Sequence, residues 1–545
     1  MPSNLTQNII NINQNQLKQK VLQLQKDGFD MLLDITAVDY LKYPKKPNNR
    51  FALVYIFRDK SFKNTVQIQI ELDDKDLSID TISDIYYSAN WAEREVYDQY
   101  GIKFNNHPNL KRVLNHQEFI GHPLRKDYET TKRHLCTQTQ DLMDEMTPLL
   151  NSKGFKNHDD LMMLNIGPSH PATHGSIRHF VALEGETIKA AVTEIGYLHR
   201  GFEKACEEHT YSQIIPYTDR LNYCSSILNN VGYCKAVEDM LDIEIPDRAK
   251  FIRVVLGELA RISDHLVCNA ALLVDLGGLT SYWYLFNPRD TLYDLFSKLT
   301  GARFTNSYTR VGGLAYDLYD GFEADLDEVI KEVQTAVDDT LSLIAHNKIF
   351  LDRTQNVGVI KADFALNAGI VGPNLRACGV EFDLRKDDPY YFYDQFDFDM
   401  VVGSHGDVHD RMMVRFEEIN ESIKIINQAM KNIPDGAINI EDKKIILPQK
   451  DDVYNTIEGT INQFKLVTQG IQVPKGTHYS ATEGANGEMG FYIVSDGSGT
   501  PYKLKLRPPC LYPLAAYPKI IEGGQVPDAI ITMASLNFIA GEFDR

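Results

Sequence analysis

The spacing of apolar residues changes character once along the chain, and that change limits the folds open to it. In the first part, Val66, Ile68, Ile70 and Leu72 alternate with Gln67, Gln69 and Glu71, the two-residue repeat of a half-buried strand. Phe51 to Phe57 is a more continuous apolar run and reads as a second strand. Leu17, Val21 and Leu24 share a helical face that Asp27-Gly28 closes, and helical spacing returns from Ile82 to Tyr100. From Glu129 to Asp160 the pattern fades into polar residues, including Asn151-Ser152-Lys153-Gly154, and predicts a connector with one short helix. Beyond it the chain is mostly helical. Pro246 suits the first turn of a helix that runs to Gly277-Gly278, roughly 45 Å long. Further helices are expected over Phe322 to His346 and His409 to Met430. A hairpin is expected around Asp496-Gly497, between Gly490–Val494 and Tyr502–Arg507. The expected class is α+β: a small N-terminal α/β domain (1–135), a connector (136–160) and a large, mainly α-helical domain with peripheral strands (161–545).

Charge and cysteine content narrow the function. A formal net charge of −19 over 545 residues opposes binding to nucleic acid or an anionic lipid surface. No apolar run approaches the ~18 residues of a membrane helix, and the start Met-Pro-Ser-Asn-Leu-Thr-Gln-Asn has no signal-peptide pattern. Any membrane link is therefore expected to run through partners. The seven cysteines form no C-x-x-C pair, which argues against a disulfide framework or a closed metal site and for buried thiols in a reduced, cytosolic setting.

Polar motifs concentrate in the second part. Gly167-Pro168-Ser169-His170-Pro171-Ala172-Thr173-His174-Gly175 is a loop whose two histidines could ligate a metal, donate protons or bond to the backbone. Gly196-Tyr197-Leu198-His199-Arg200-Gly201-Phe202-Glu203-Lys204 suggests a close backbone approach, or a plain helix start with a surface ion pair. Tyr217-Thr218-Asp219-Arg220-Leu221-Asn222-Tyr223 gathers phenols, a carboxylate and a guanidinium. On the long helix, Glu258, Arg261 and His265 share a face, as either a solvent edge or a buried network. Asp275 stands among leucines, costly to bury without a partner, or else reaches water at the helix end.

In this order, with Arg376-Ala377-Cys378-Gly379-Val380, Gly406-Asp407-Val408-His409-Asp410-Arg411 and the terminal Asp544-Arg545, these motifs resemble the 49-kilodalton subunit family of respiratory complex I over about Leu164 to Arg545. The first domain resembles the 30-kilodalton subunit family. The match rests on Glu93-Arg94-Glu95, Tyr100-Gly101-Ile102, His107-Pro108-Asn109-Leu110 and Gly121-His122-Pro123-Leu124-Arg125-Lys126-Asp127-Tyr128, and it weakens before about Thr36. Both in one chain look like the fused form of some bacteria. The larger family is related to the nickel–iron hydrogenase large subunit, whose metal sits on two C-x-x-C pairs. Those positions fall here near Asn222 and Ser225 and at Ile539 and Glu542, so no metal is expected.

The resemblance implies that the vacated cleft receives a quinone headgroup, ubiquinone or menaquinone, between His174 and Tyr223, with Asp275 paired to His174. It implies electrons from the iron–sulfur cluster of a neighbouring subunit, FMN and further clusters elsewhere in the complex, a membrane partner forming the quinone channel, and NADH oxidation coupled to proton translocation. It places the chain peripherally on the cytoplasmic side of the inner membrane, with no tightly bound cofactor of its own. Asn222 stands where the family often has aspartate, and Asn486 where a basic residue is usual. Other readings are an assembly scaffold without quinone contact, a hydrogenase, which the missing cysteines oppose, and a metallohydrolase using His170 and His174.

Overall fold

The structure, a computed structural model, describes residues 8–44, 48–137, 141–155, 157–158 and 160–545; the segment read for a signal peptide lies largely outside them. Four strands of the first domain form a sheet in the order Asn8–Asn11, Thr65–Leu72, Phe51–Arg58, Met31–Asp39, the first pair parallel and the others antiparallel. Phe51–Arg58 is buried along its whole length because both its faces are covered. Leu53, Tyr55 and Phe57 pack with Leu17, Val21 and Leu24 of one helix and Ala92 and Val96 of another. Ala52, Val54 and Ile56 pack into the second domain, in one cluster with Ile370, Val371, Leu375 and Tyr492. The continuous apolar run thus marks an inter-domain sheet.

The helix expected from Ile82 begins instead at Ala89 and runs to Tyr100. Tertiary partners take the earlier backbone donors: the Ile82 N–H donates to Glu93, Tyr87 to the Asn367 side chain and Ser88 to the Asn367 carbonyl. The short helix of the connector is Met143–Ser152, whose Met146 and Leu150 pack with Phe180, Ala190 and Val192 of a three-stranded sheet. That sheet comprises Met162–Ile166, Arg178–Glu184 and Thr187–Glu194.

Helix Asp247–Asp275 is the axis of the second domain and is buried along most of its length. Helices Ser226–Leu241, Leu279–Thr300, Val408–Asn432 and Val526–Leu536 pack around it. A second antiparallel sheet joins the expected hairpin, Gly487–Ser495 with Lys503–Arg507, to Gly476–Gly484. The class is α+β as expected. Among the described residues no helix is long and apolar enough to cross a membrane.

Candidate functional site

The loop 167–175 is fixed from within. A side chain at Gly167, which sits at φ 86°, would meet the Ile177 carbonyl at 2.3 Å. Thr173 Oγ1 donates to the Pro168 carbonyl at 3.0 Å, and His170 Nδ1 accepts from the Ala172 N–H at 3.1 Å. His174 ends the tight turn in the left-handed region, at φ 52°, and is exposed. His170 therefore serves the loop, whereas His174 is free to face outward.

Asp275 is the last residue of the axial helix. Its carboxyl is raised by the protein around it, and the charges of His174 and then His170 act against that rise. The structure thus brings Asp275 to the two histidines, though at more than ion-pair distance.

Tyr223 opens a short 3-10 turn capped by Asn222, whose Oδ1 accepts the Cys224 N–H at 3.1 Å. The Tyr223 ring is half-buried, 5.9 Å from the Phe304 ring, against an apolar cluster of Cys224, Cys510, Ile539 and Ala540. Its hydroxyl has no hydrogen-bond partner among the described residues. Burial first, then the charges of neighbouring groups that include Asp264 and Glu542, push its pKa up to about 12. No hydrogen bond joins Tyr223 to His174 or Asp275. Asp264, close to Tyr223, lies eleven residues before Asp275 on the axial helix, roughly 16 Å along its axis.

Of the four positions that the hydrogenase resemblance singles out, Asn222, Ser225 and Glu542 lie in a buried polar net, whereas Ile539 packs in the apolar cluster. Asn222 Nδ2 donates to Asp264 Oδ2 at 2.7 Å and Ser225 Oγ to the same oxygen at 3.3 Å. Asn537 Nδ2 donates to Asp264 Oδ1 at 2.6 Å and also to Asn486 Oδ1 at 2.7 Å. Asn486 Nδ2 donates to Cys510 Sγ at 3.2 Å, and the Cys510 N–H donates to Glu542 Oε2 at 3.1 Å. Asn486 therefore makes amide contacts where the family's basic residue would bring a charge. Asp264, Asn537, Cys510 and Glu542 do not stand out in the sequence as site residues, because most of the partners that join them are far apart along the chain.

Two further motifs act on the C-terminus. Asp544 accepts the Gly196 and Leu198 N–H groups at 2.7 and 2.8 Å, and His199 Nδ1 lies 2.5 Å from the Arg545 carbonyl. The close approach expected at this motif is real: a side chain at Gly196 would meet the Leu114 carbonyl of the first domain at 2.3 Å. Arg545 reaches Glu95 of the first domain at 2.6 Å and Glu203 at 3.3 Å, and Lys505 reaches Glu95 at 2.5 Å, all buried.

The polar stripe on the axial helix is a buried network. Glu258 pairs with Arg261 and Arg385, both at 3.1 Å; His265 Nε2 donates to Glu418 at 2.8 Å; and Arg376 joins Glu418 to Glu483. Two other groups place three potential metal-ligand atoms within 4.8 Å of one another, His116 with Glu118 and Cys136, and Asp407 with His409 and Asp410. Asp407 caps helix Val408–Asn432 through the Asp410 N–H, so it already has a structural task.

Fold and site together describe an α/β domain packed onto a helical domain in which amides and carboxyls form a buried polar net. Comparison with known proteins gives this class its family. Residues 275–545 match the family described as respiratory-chain NADH dehydrogenase, 49 Kd subunit, and residues 10–134 match its 30 Kd subunit family, which extends the first resemblance well before Thr36. The fused C/D-type subunit of the NADH-quinone oxidoreductase of Bdellovibrio bacteriovorus is 47% identical over 526 residues, covering 96% of this chain and 93% of that protein. The D-type subunits of the same enzyme in Sorangium cellulosum and Myxococcus xanthus are each 50% identical over 70% of this chain, and 95% and 92% of their own lengths are covered. The chain belongs to the NADH-quinone oxidoreductase subunit family, in its fused C/D form.

Proposed function

We propose that this chain forms part of the quinone-reduction site of a respiratory NADH–quinone oxidoreductase. In this reading Tyr223 and His174 bracket the quinone headgroup, and Asp275 is the carboxylate partner that orients His174. Two electrons arrive one at a time from an iron–sulfur cluster of a partner subunit. The quinone oxygens become strongly basic as they do, so donors aimed at them beforehand stabilise the charge as it develops. The isoprenoid tail leaves through an apolar passage shared with a membrane subunit. The complex couples the reaction to proton translocation, and this chain sits peripherally at the cytoplasmic face. The first domain, 1–135, docks and braces neighbouring subunits.

The observation that carries the reading is the half-buried Tyr223, whose hydroxyl has no hydrogen-bond partner among the described residues. A phenol in such a place is an unspent donor. The test is Tyr223→Phe in the assembled complex, read by two assays on one preparation. Quinone reduction is expected to fall by about 30- to 1000-fold, the cost of one donor to a developing oxyanion. Electron flow from NADH to an artificial acceptor upstream is expected to persist. Wild-type quinone reduction in this variant would refute the site, and loss of both activities would make Tyr223 structural.

A further inference from the structure

Glu542 is a buried acid without a cation. Several other buried carboxyls here meet one: Glu95 has Arg545 and Lys505, Glu258 has Arg261 and Arg385, and Glu418 has Arg376. Glu542 is fully buried, with Oε2 accepting one backbone N–H and Oε1 accepting nothing.

The charged and titratable groups around it come from several elements. Asp264, on the axial helix, accepts three hydrogen bonds and donates none, the pattern of a carboxylate. Cys510 and Cys224 are thiols that burial pushes up, so they stay neutral. Arg507, on strand Lys503–Arg507, spends its guanidinium on the Glu488 and Gly369 carbonyls. On Glu542's own segment, Asp544 caps a loop and Arg545 is held by Glu95 and Glu203. Tyr223 packs on the same apolar cluster as Cys510, Ile539 and Ala540. Asp264 and Glu542 are therefore two buried carboxyls that act on each other, with no cation in contact with either among the described residues. A second negative charge there is unfavourable, and the acid with an unfilled oxygen is the one suited to hold a proton.

We propose that Glu542 is a carboxylic acid at neutral pH and acts as the proton reserve of the cleft, reprotonating Tyr223 after its phenol has given a proton to the reduced quinone. This rests on the quinone-site reading above. Per quinone, two electrons come from the partner subunit's one-electron carrier. One proton leaves the Tyr223 O–H for a quinone oxygen, and the Glu542 O–H proton restores the phenol. The resulting Glu542 carboxylate regains its proton from solvent, and the second quinone oxygen takes its proton from His174. Burial, opposed by a hydrogen bond from the Cys510 side chain and aided by the Asp264 charge, pushes Glu542 up to about 8, whereas Tyr223 stands at about 12. A Tyr223 phenolate is thus the stronger base of the two and takes the Glu542 proton.

The test is Glu542→Gln and Glu542→Asp in the assembled complex, with quinone reduction followed against pH. Wild-type activity is expected to fall as pH rises through about 8, since the reserve is lost on deprotonation. Glu542→Gln is expected to be about 100-fold slower at pH 7, without that limb, and to converge with wild type at high pH. Glu542→Asp is expected to retain the limb. Infrared spectra should show a protonated-carboxyl band at pH 7 that titrates near pH 8 and is missing in Glu542→Gln. A wild-type rate in Glu542→Gln at pH 7, a deficit constant over pH, or the absence of the band would each overturn the proposal. If Glu542→Gln fails to assemble, the limb in Glu542→Asp and the wild-type band decide between the same outcomes. Full activity in Tyr223→Phe would instead sink the quinone reading, and would leave the infrared titration of Glu542 standing by itself.

Discussion

Glu95 holds the two domains together, and its removal has a calculable cost. It sits on helix Ala89–Tyr100 and accepts both a bidentate Arg545 guanidinium, at 2.6 and 2.7 Å, and the Lys505 ammonium at 2.5 Å. Asp34 and Glu203 complete the cluster with Lys503, so three acids balance three cations in a buried interface. Glu95→Gln leaves one cation in excess in a buried interface. Removing one partner of a buried pair costs about 3–5 kcal/mol. The titration of Glu95 gives a second estimate. Burial opposes its ionisation, but Arg545 first and then Lys505 outweigh burial and hold its carboxyl down to about 2, from 4.5. That is worth about 3 kcal/mol in favour of the folded state. Because the folded pKa is lowered, this contribution is complete above pH about 4.5 and is lost as pH falls towards 2.

Native-state hydrogen exchange reads the effect at strand Lys503–Arg507, which lies in the interface. Amides of that strand should exchange roughly 150-fold faster in Glu95→Gln at pH 7, the equivalent of about 3 kcal/mol. Adding Arg545→Gln to Glu95→Gln should cost less than the sum of the two single changes, since each removes the same pair. An acceleration below about threefold in a folded Glu95→Gln chain would show that the cluster does not stabilise the interface.

Two other outcomes are expected. His174→Ala and Asp275→Asn should each slow quinone reduction and spare the upstream artificial acceptor. Asp275→Asn should be the milder, and the pair less than additive; additive losses would show that the two residues do not act as one unit. Expressing the chain as two pieces divided between Cys136 and Asp141 should still give an assembled, active complex, because the interface is held by the Glu95 cluster and by the strand Phe51–Arg58. Failure of the halves to associate would show that the covalent link is needed.

Much of the fold is legible because its periodicities are local. The alternation over Val66–Leu72, the helix ending at Asp275 and the hairpin around Asp496-Gly497 all stand where the sequence puts them. Strand Gly476–Gly484 does not announce itself, since Thr477, His478, Ser480 and Thr482 blunt any apolar alternation. The start of helix Ala89–Tyr100 is displaced from Ile82 because donors before it are claimed by residues such as Asn367, nearly three hundred positions away. Likewise Glu258, Arg261 and His265 look the same in sequence whether they meet water or, as here, Glu418 and Arg385 from other elements.

The candidate site divides along the same line. His174, Tyr223 and Asp275 lie in ordered motifs and can be singled out without coordinates. The groups that set their chemistry cannot, because Asp264 meets Asn537, 273 positions further along, only once the chain has folded back. On the hydrogenase resemblance, Asn222, Ser225, Ile539 and Glu542 stand where thiolates are expected, which looks in sequence like the simple loss of a metal site. In the fold it has a further consequence. Four thiolates around a metal would leave no buried acid in need of a proton, whereas the present cleft keeps two carboxyls and supplies hydrogen-bond donors mainly to one of them. Asp264 takes those donors, and Glu542 is left with an empty oxygen. A cleft that had only lost its metal could have filled with leucine and methionine at lower electrostatic cost. Under the proposed function, a buried acid with an unfilled oxygen near Tyr223 is what delivery of a proton to the reduced quinone requires.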